Sequence, residues 1–161
     1  MRKLSTRQVC RITGLDGNTI AQRRYAELMP FACGLGRAEY ERHQLLLIEV
    51  LEELRRAGFQ LRSCATLLRE QCECDVRAQL AVGGIEKCVL RVFSVGGAVS
   101  GAVVSEVEAV ELAKMSAAAP GVSTFVPLGP IWRRLVDRAR ALGMQLRTPN
   151  TPTAARSAVR C

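Results

Sequence analysis

The segment GLDGNTIAQRRYAELMP, Gly14 to Pro30, decides how the chain is read. Gly14 punctuates the end of one helix, Leu15-Asp16-Gly17-Asn18 is turn chemistry, and Pro30 stops a second helix. Between these marks Ile20, Ala21, Tyr25 and Leu28 recur at helical spacing. That spacing predicts a helix from about Asn18 to Leu28, with Asn18 as its cap. Upstream, Val9 and Ile12 with Cys10 fit a short helix from Ser5 to Thr13, capped by Ser5 or Thr6.

Working outward, Phe31 to Tyr40 holds two glycines among apolar and aromatic residues, which predicts a small hairpin or loop. Glu41 to Ala57 is an amphipathic helix with Leu45, Leu46, Ile48, Leu51 and Leu54 on one face, closed by Gly58. Glu52 and Arg56 on it stand in the favourable i,i+4 order. Leu61, Cys64, Leu67 and Leu68 mark a further helix, and 72–82 reads as its continuation. Helix, turn, helix, glycine-rich hairpin, long helix is the order of a winged helix-turn-helix. In that architecture the second helix enters the major groove, its exposed residues reach base edges, and the wing places basic groups on phosphates. Within residues 1–37, Arg2, Lys3, Arg7, Arg11, Arg23, Arg24 and Arg37 stand against only Asp16 and Glu27.

Gly83-Gly84 is the best boundary. Beyond it Ile85 to Phe93 reads as a strand, with Cys88, Leu90 and Val92 alternating against Lys87, Val89 and Arg91. A turn at Gly96-Gly97 leads to a second strand over Ala98 to Val104. Ser105 and Glu108 match a capping box that opens a helix toward Ala119, which Pro120-Gly121 breaks. Val122 to Leu128 is a third strand, and Pro130 begins a helix closed by Gly143. The resulting β-β-α-β-α order implies a small α/β unit. The expected organisation is thus α+β: a winged helix over 1–69, a helical linker over 70–84, the α/β unit over 85–147 and a disordered tail over 148–161.

Composition narrows the partner. Lys and Arg number 23 against 15 Asp and Glu, a formal net charge of +8, and only Lys3, Lys87 and Lys114 are lysines. An arginine-rich excess suits phosphate and guanine, which the guanidinium contacts bidentately. No stretch of about 18 apolar residues is present, and the first residues lead into polar sequence, not an apolar signal core. A cytoplasmic, nucleoid-associated location with seven reduced cysteines is expected. There is no phosphate-binding loop, no nucleophile elbow and no histidine with partner carboxylates in the sequence pattern, so enzyme activity is not expected and no cofactor is implied.

Three separated stretches resemble the MerR family of bacterial transcriptional regulators. Its members typically read GVSPDTLRYYERLGLLP where this chain has GLDGNTIAQRRYAELMP, of equal length, with Gly14, Thr19, Leu28 and Pro30 kept. Gly36-Arg37-Ala38-Glu39-Tyr40 is similar to the family's GYRRY wing, and LRRAGFQL, Leu54 to Leu61, to its LRELGFSL. The resemblance covers residues 3–69 and implies binding to double-stranded DNA as a homodimer. Residues implied at the DNA are Arg7, Asn18, Thr19, Gln22, Arg23, Arg24, Arg37 and Tyr40. Two departures stand out. Ala21-Gln22-Arg23 replaces the family's Arg-Tyr-Tyr, and Ala38 replaces a basic wing residue. Residues 21 and 24 lie about 300° apart round a helix, so Arg24 covers ground near the lost arginine. The long dimerisation helix of the family is cut short here by Gly83-Gly84, which leaves self-association or sensing to 85–147.

Each of these residues has a plainer reading. Arg23 and Arg24 also fit a solvated helix face, Gln22 pairs bidentately with adenine but is common on surfaces, and Tyr40 fits packing at the wing base. Cys72-Glu-Cys74 carries thiolates that select soft metals, yet structural zinc needs four ligands and the one histidine, His43, is remote in sequence. Buried, small-hydrophobe cysteines are the expectation. Two other functions fit the pattern: an excisionase-like factor that bends DNA for a mobile element, and a protein-interaction module derived from a winged helix.

Overall fold

The computed structural model describes residues 3–33, 38–95, 98–116 and 122–146. Strand β1, Leu4–Ser5, leads directly into helix α1, Thr6–Thr13. Ser5 caps it. The Gln8 backbone N–H donates to Ser5 Oγ at 3.4 Å, and Gln8 Oε1 accepts from the Ser5 backbone N–H at 2.9 Å. Two otherwise orphaned donors are satisfied by this reciprocal pair. Helix α2 spans Gly17–Tyr25 and its cap is Asp16, whose carboxylate accepts from Asn18 N at 3.1 Å. Asn18 therefore lies within the first turn and is not the cap. The helix also stops three residues before the expected Leu28. Leu28 N donates to Arg23 O at 2.8 Å and Glu27 N to Arg24 O at 3.3 Å, the paired bonds of a Schellman turn. Glu27 occupies its left-handed position with φ 57, where a glycine is the usual residue.

Strand β2, Glu39–Tyr40, pairs antiparallel with β1, placing Leu4 opposite Tyr40 and Ser5 opposite Glu39. Of the hairpin or loop expected over 31–40, no hairpin pairing is seen among the described residues. Phe31 to Cys33 form no strand, and β2 is tied instead to the segment before α1. The Tyr40 ring packs edge-on against Phe31 with centroids 6.1 Å apart. Arg37 lies outside the described residues.

Helix α3, Arg42–Arg56, is the central beam, with Leu45, Leu46, Leu47, Val50, Leu51 and Leu54 all fully buried. Helix α4, Leu61–Leu67, runs through a π-helical turn at Leu68–Cys72 into α5, Glu73–Val82. The sequence expectation of a helical continuation is right in kind, but the extra residue in the turn breaks its phase. Ile85–Lys87 then forms one 3₁₀ turn, so the expected strand begins at Cys88.

Strands β3, Cys88–Val95, β4, Ala98–Ser105, and β5, Val122–Pro127, make a fully antiparallel sheet in the order β4-β3-β5. Helix α6, Glu106–Ser116, bridges β4 to β5, and α7, Leu128–Ala141, comes directly after β5. The expected β-β-α-β-α order is what forms. The Ser105–Glu108 capping box also forms, with Glu108 N donating to Ser105 Oγ at 3.2 Å. The alternation along β3 sorts its two faces. Cys88, Leu90 and Val92 join the main core, while Arg91 on the other face donates to Ser116 Oγ of α6 at 3.3 Å. Helix α7 starts at Leu128, two residues before the expected Pro130. Its Gly129 lies so close to the 3₁₀ turn that a Cβ there would sit 2.4 Å from Glu86 O.

One cluster of buried side chains runs from Val9 and Ile12 through α3 and Leu68 to Leu90, Trp132 and Leu135. Gly83 ends α5 with φ 74, yet the core continues past it. The molecule is a mixed helix and strand protein of α+β type, and residues 70–84 contribute Cys72, Val76 and Leu80 to the core they were expected to link. The expected disordered tail, 148–161, falls outside the described residues.

Candidate nucleic-acid interface

Helix α2 carries most of the residues singled out in the sequence, and its orientation determines which of them face outward. Ile20 is its apolar anchor, 1 % exposed, and Arg23, one turn on, is also turned inward at 8 % exposure. Arg23 forms an ion pair with Glu52 of α3. Glu52 Oε2 also accepts from Arg55 Nε at 3.1 Å. Burial alone would push the Glu52 carboxyl up. The hydrogen bond and charge of Arg23, helped by Arg55, outweigh burial and hold its pKa below the ordinary carboxylate value. This pair replaces the expected Glu52–Arg56 contact; Arg56 turns to Glu53 at 3.3 Å. Arg23 is thus not presented to a partner, because its guanidinium is spent on fixing α2 to α3.

The opposite face of α2 is a row. Asn18, Ala21, Gln22 and Tyr25 are all exposed, and their spacing is i, i+3, i+4, i+7. Tyr25 is 93 % exposed, on the side away from Ile20, with which the sequence spacing had grouped it. Thr19 and Arg24 flank the row, each partly buried. Arg24 lies beside the Cys33 thiol and Tyr40. Burial raises both of those groups' pKa values, and the Arg24 charge partly opposes the rise. Arg7 and Arg11 are exposed one turn apart on α1, which packs against α2. Tyr40 is 2 % exposed in the β1–β2 base, so its role here is packing. The structure therefore brings Asn18 and Gln22 onto one outward face with Ala21 and Tyr25, sets Arg24 at its edge, and removes Arg23 and Tyr40 from it.

The missed members, Ala21 and Tyr25, carried a signal in the sequence: their spacing with Asn18 and Gln22 is one helix face. Glu52 carried a weaker one, an acid among the leucines of α3.

The cysteine motif does not form one site. Cys72 is buried in the π-helical turn and desolvation pushes its thiol up to about 12, whereas Cys74 is exposed on α5. Burial likewise pushes Cys64 up to about 11. Thiols held this far toward the protonated form are poor nucleophiles and poor ligands. Among the described residues no three His, Cys, Asp or Glu side chains gather in a metal-binding arrangement, and no helix is long and apolar enough to cross a membrane. The sequence pattern offered no histidine with partner carboxylates, but the fold supplies them: His43 is buried on α3 with Glu41 and Glu73 each 3.4 Å from its ring nitrogens, and so fastens the start of α3 to the start of α5.

Comparison with protein-family models found no match to this chain, and comparison with curated proteins found none either.

Proposed function

We propose that the chain is a sequence-specific DNA-binding transcriptional regulator whose first three helices act as a MerR-like winged helix-turn-helix, with α2 as the recognition helix. The observation that carries this reading is the two-sidedness of α2. Its inner face is locked to α3 by Ile20 and the Arg23–Glu52 pair, and its outer face offers four exposed side chains in one row. A recognition helix needs both properties, a rigid seat and an outward row that reaches base edges. Two further features support it. Arg7 and Arg11 stand exposed on the adjoining helix, where cations favour phosphates, in a chain of formal net charge +8. Glu27 also takes a left-handed turn at the position where the MerR pattern has glycine. In this reading the sheet with α6 and α7 serves self-association as a homodimer or sensing, and α7 communicates with the DNA-binding part through Arg138. That side chain donates to Glu49 of α3 at 3.0 Å and to the carbonyl of Ile12 in α1 at 3.4 Å.

The test is immunoprecipitation of genomic fragments bound by the full chain, then gel shifts on the enriched fragments. A discrete set of fragments bound far above background is expected. Uniform, steeply salt-dependent binding to all fragments would remove the reading. Under it, Arg24→Ala, at the edge of the row, should weaken binding about equally across DNA sequences and lessen its salt dependence, as the loss of a phosphate contact does. One observation favours a second reading, a protein-interaction module: the outward row of α2 has no charged side chain and is dominated by an exposed tyrosine. Such a surface suits a protein partner as well.

A further inference from the structure

The burial of Arg23 determines which bases α2 is equipped to read. We infer that the outward row of α2 recognises A·T base pairs in the major groove, an inference that rests on the DNA-binding reading above. Guanine is read best by a cation that donates to O6 and N7, and cytosine by a carboxylate that accepts from N4. The row Asn18, Ala21, Gln22, Tyr25 contains neither. It contains two amides and two apolar or aromatic groups. An asparagine or glutamine amide donates to adenine N7 and accepts from adenine N6 at once, and a methyl or ring packs on the thymine 5-methyl. All four groups the row offers therefore match features that only A·T pairs display in that groove.

Spacing sharpens the target. Asn18 and Gln22 are four residues apart, a rise of about 6 Å along the helix. That is about two base-pair steps at roughly 3.4 Å each. The row fits two adenines about two steps apart, with thymine methyls between and beside them for Ala21 and Tyr25. The nearby basic groups, Arg7 and Arg11 on α1 and Arg24 at the edge of the row, are assigned to the backbone phosphates, which fix register but carry no sequence.

The test is selection of binding sites from a random duplex library with the full chain. The winning duplex is then resynthesised with 7-deazaadenine, which lacks the N7 acceptor, or with uracil, which lacks the methyl. The expected result is a site whose core is fixed as A·T at two positions about two steps apart. Replacing either adenine should lower affinity roughly tenfold or more, uracil should lower it severalfold, and Gln22→Ala should relax preference at one position alone. A selected core fixed by G·C pairs, or an A·T core indifferent to 7-deazaadenine, overturns this inference while DNA binding stands. Absence of any enriched site, with capture of a protein partner by the same face, overturns the inference and the DNA-binding reading together. The base-analogue arm needs no variant, so it stays decisive even if Gln22→Ala disturbs the helix.

Discussion

Helices α2 and α7 are both tied to α3 by an arginine on a glutamate, and the two glutamates are three residues apart. Arg23 of α2 takes Glu52, and Arg138 of α7 takes Glu49. Both helices also end in the same left-handed turn, through Glu27 in α2 and Gly143, with φ 69, in α7. The ties differ in how enclosed they are. The Arg23 and Glu52 side chains are 10 % and 4 % exposed, whereas Arg138 is 48 % exposed over a Glu49 at 5 %. The consequence shows in the carboxylates. Glu52, enclosed with its partner and joined by Arg55, is held below the ordinary carboxylate range. At Glu49, burial wins over the attraction of Arg138, Arg56 and Arg134, and its pKa is raised. A buried carboxylate is held below its ordinary pKa more readily where its partner is buried with it and solvent dilutes the attraction less. The α2 seat is built that way, and the α7 seat is not.

Breaking the tighter seat has the largest expected effect. Glu52→Ala leaves the Arg23 guanidinium buried without its carboxylate and should cost about 3–5 kcal/mol by chemical denaturation. A cost under about 1 kcal/mol would mean that the pair is open in solution. Arg23→Met combined with Glu52→Leu, which removes both charges, should recover most of that loss. Arg138→Ala should cost less, about 1–2 kcal/mol, because its guanidinium is half in water and Arg134 and Arg56 remain near Glu49. A larger loss than for Glu52→Ala would invert the comparison. The turns offer the next test. Glu27→Gly should stabilise by about 1 kcal/mol, since glycine takes the left-handed conformation without the steric cost that an L side chain bears. Gly143→Ala should do the opposite in α7, and equal melting temperatures for either variant and the parent would refute the strain.

The last effect is one of sign. Glu52 has a lowered folded pKa, so its contribution is fully present above the ordinary value of 4.5 and is lost as pH falls through the folded value. Glu49 has a raised folded pKa, so stability falls as pH rises from 4.5 through its folded value. Glu52→Gln should flatten the acid limb of a stability–pH curve and Glu49→Gln the limb just above it. The reverse pattern would show that the two environments are misassigned.

Where a pattern is local, the sequence carried it. The leucines of α3 announce a buried helix, Ser5 and the Ser105–Glu108 pair announce caps, and the alternation from Cys88 to Val92 announces a strand with an inner face. The rotation of α2 was not legible, and the reason is physical. Its nine residues contain one strong apolar marker, Ile20, which leaves the phase of the helix loose by a residue or two. What fixes the phase is Glu52, on another helix and 29 positions downstream (52 minus 23), and no local pattern predicts a long-range ion pair. Tyr25 was grouped by helical spacing with Ile20, and Arg23 was expected outward for its charge; the structure exposes the first and buries the second. The same reasoning explains the cap: Asp16 and Asn18 are equally good residues, and only the backbone path after Gly14 selects the first.

On the proposed DNA-binding reading, helix α2 separates its duties: Arg23, paired with Glu52, holds the helix in place, and the exposed Gln22 is assigned to base reading. The most direct test is to measure melting temperature and affinity for the selected duplex in Gln22→Ala and Arg23→Ala side by side. This division predicts that Gln22→Ala melts like the parent but binds the duplex more weakly by about 1–3 kcal/mol. Arg23→Ala should lose stability first, melting well below the parent. If Arg23→Ala melts like the parent and loses binding, or Gln22→Ala binds undiminished, the arginine faces the DNA and the division of duties is contradicted.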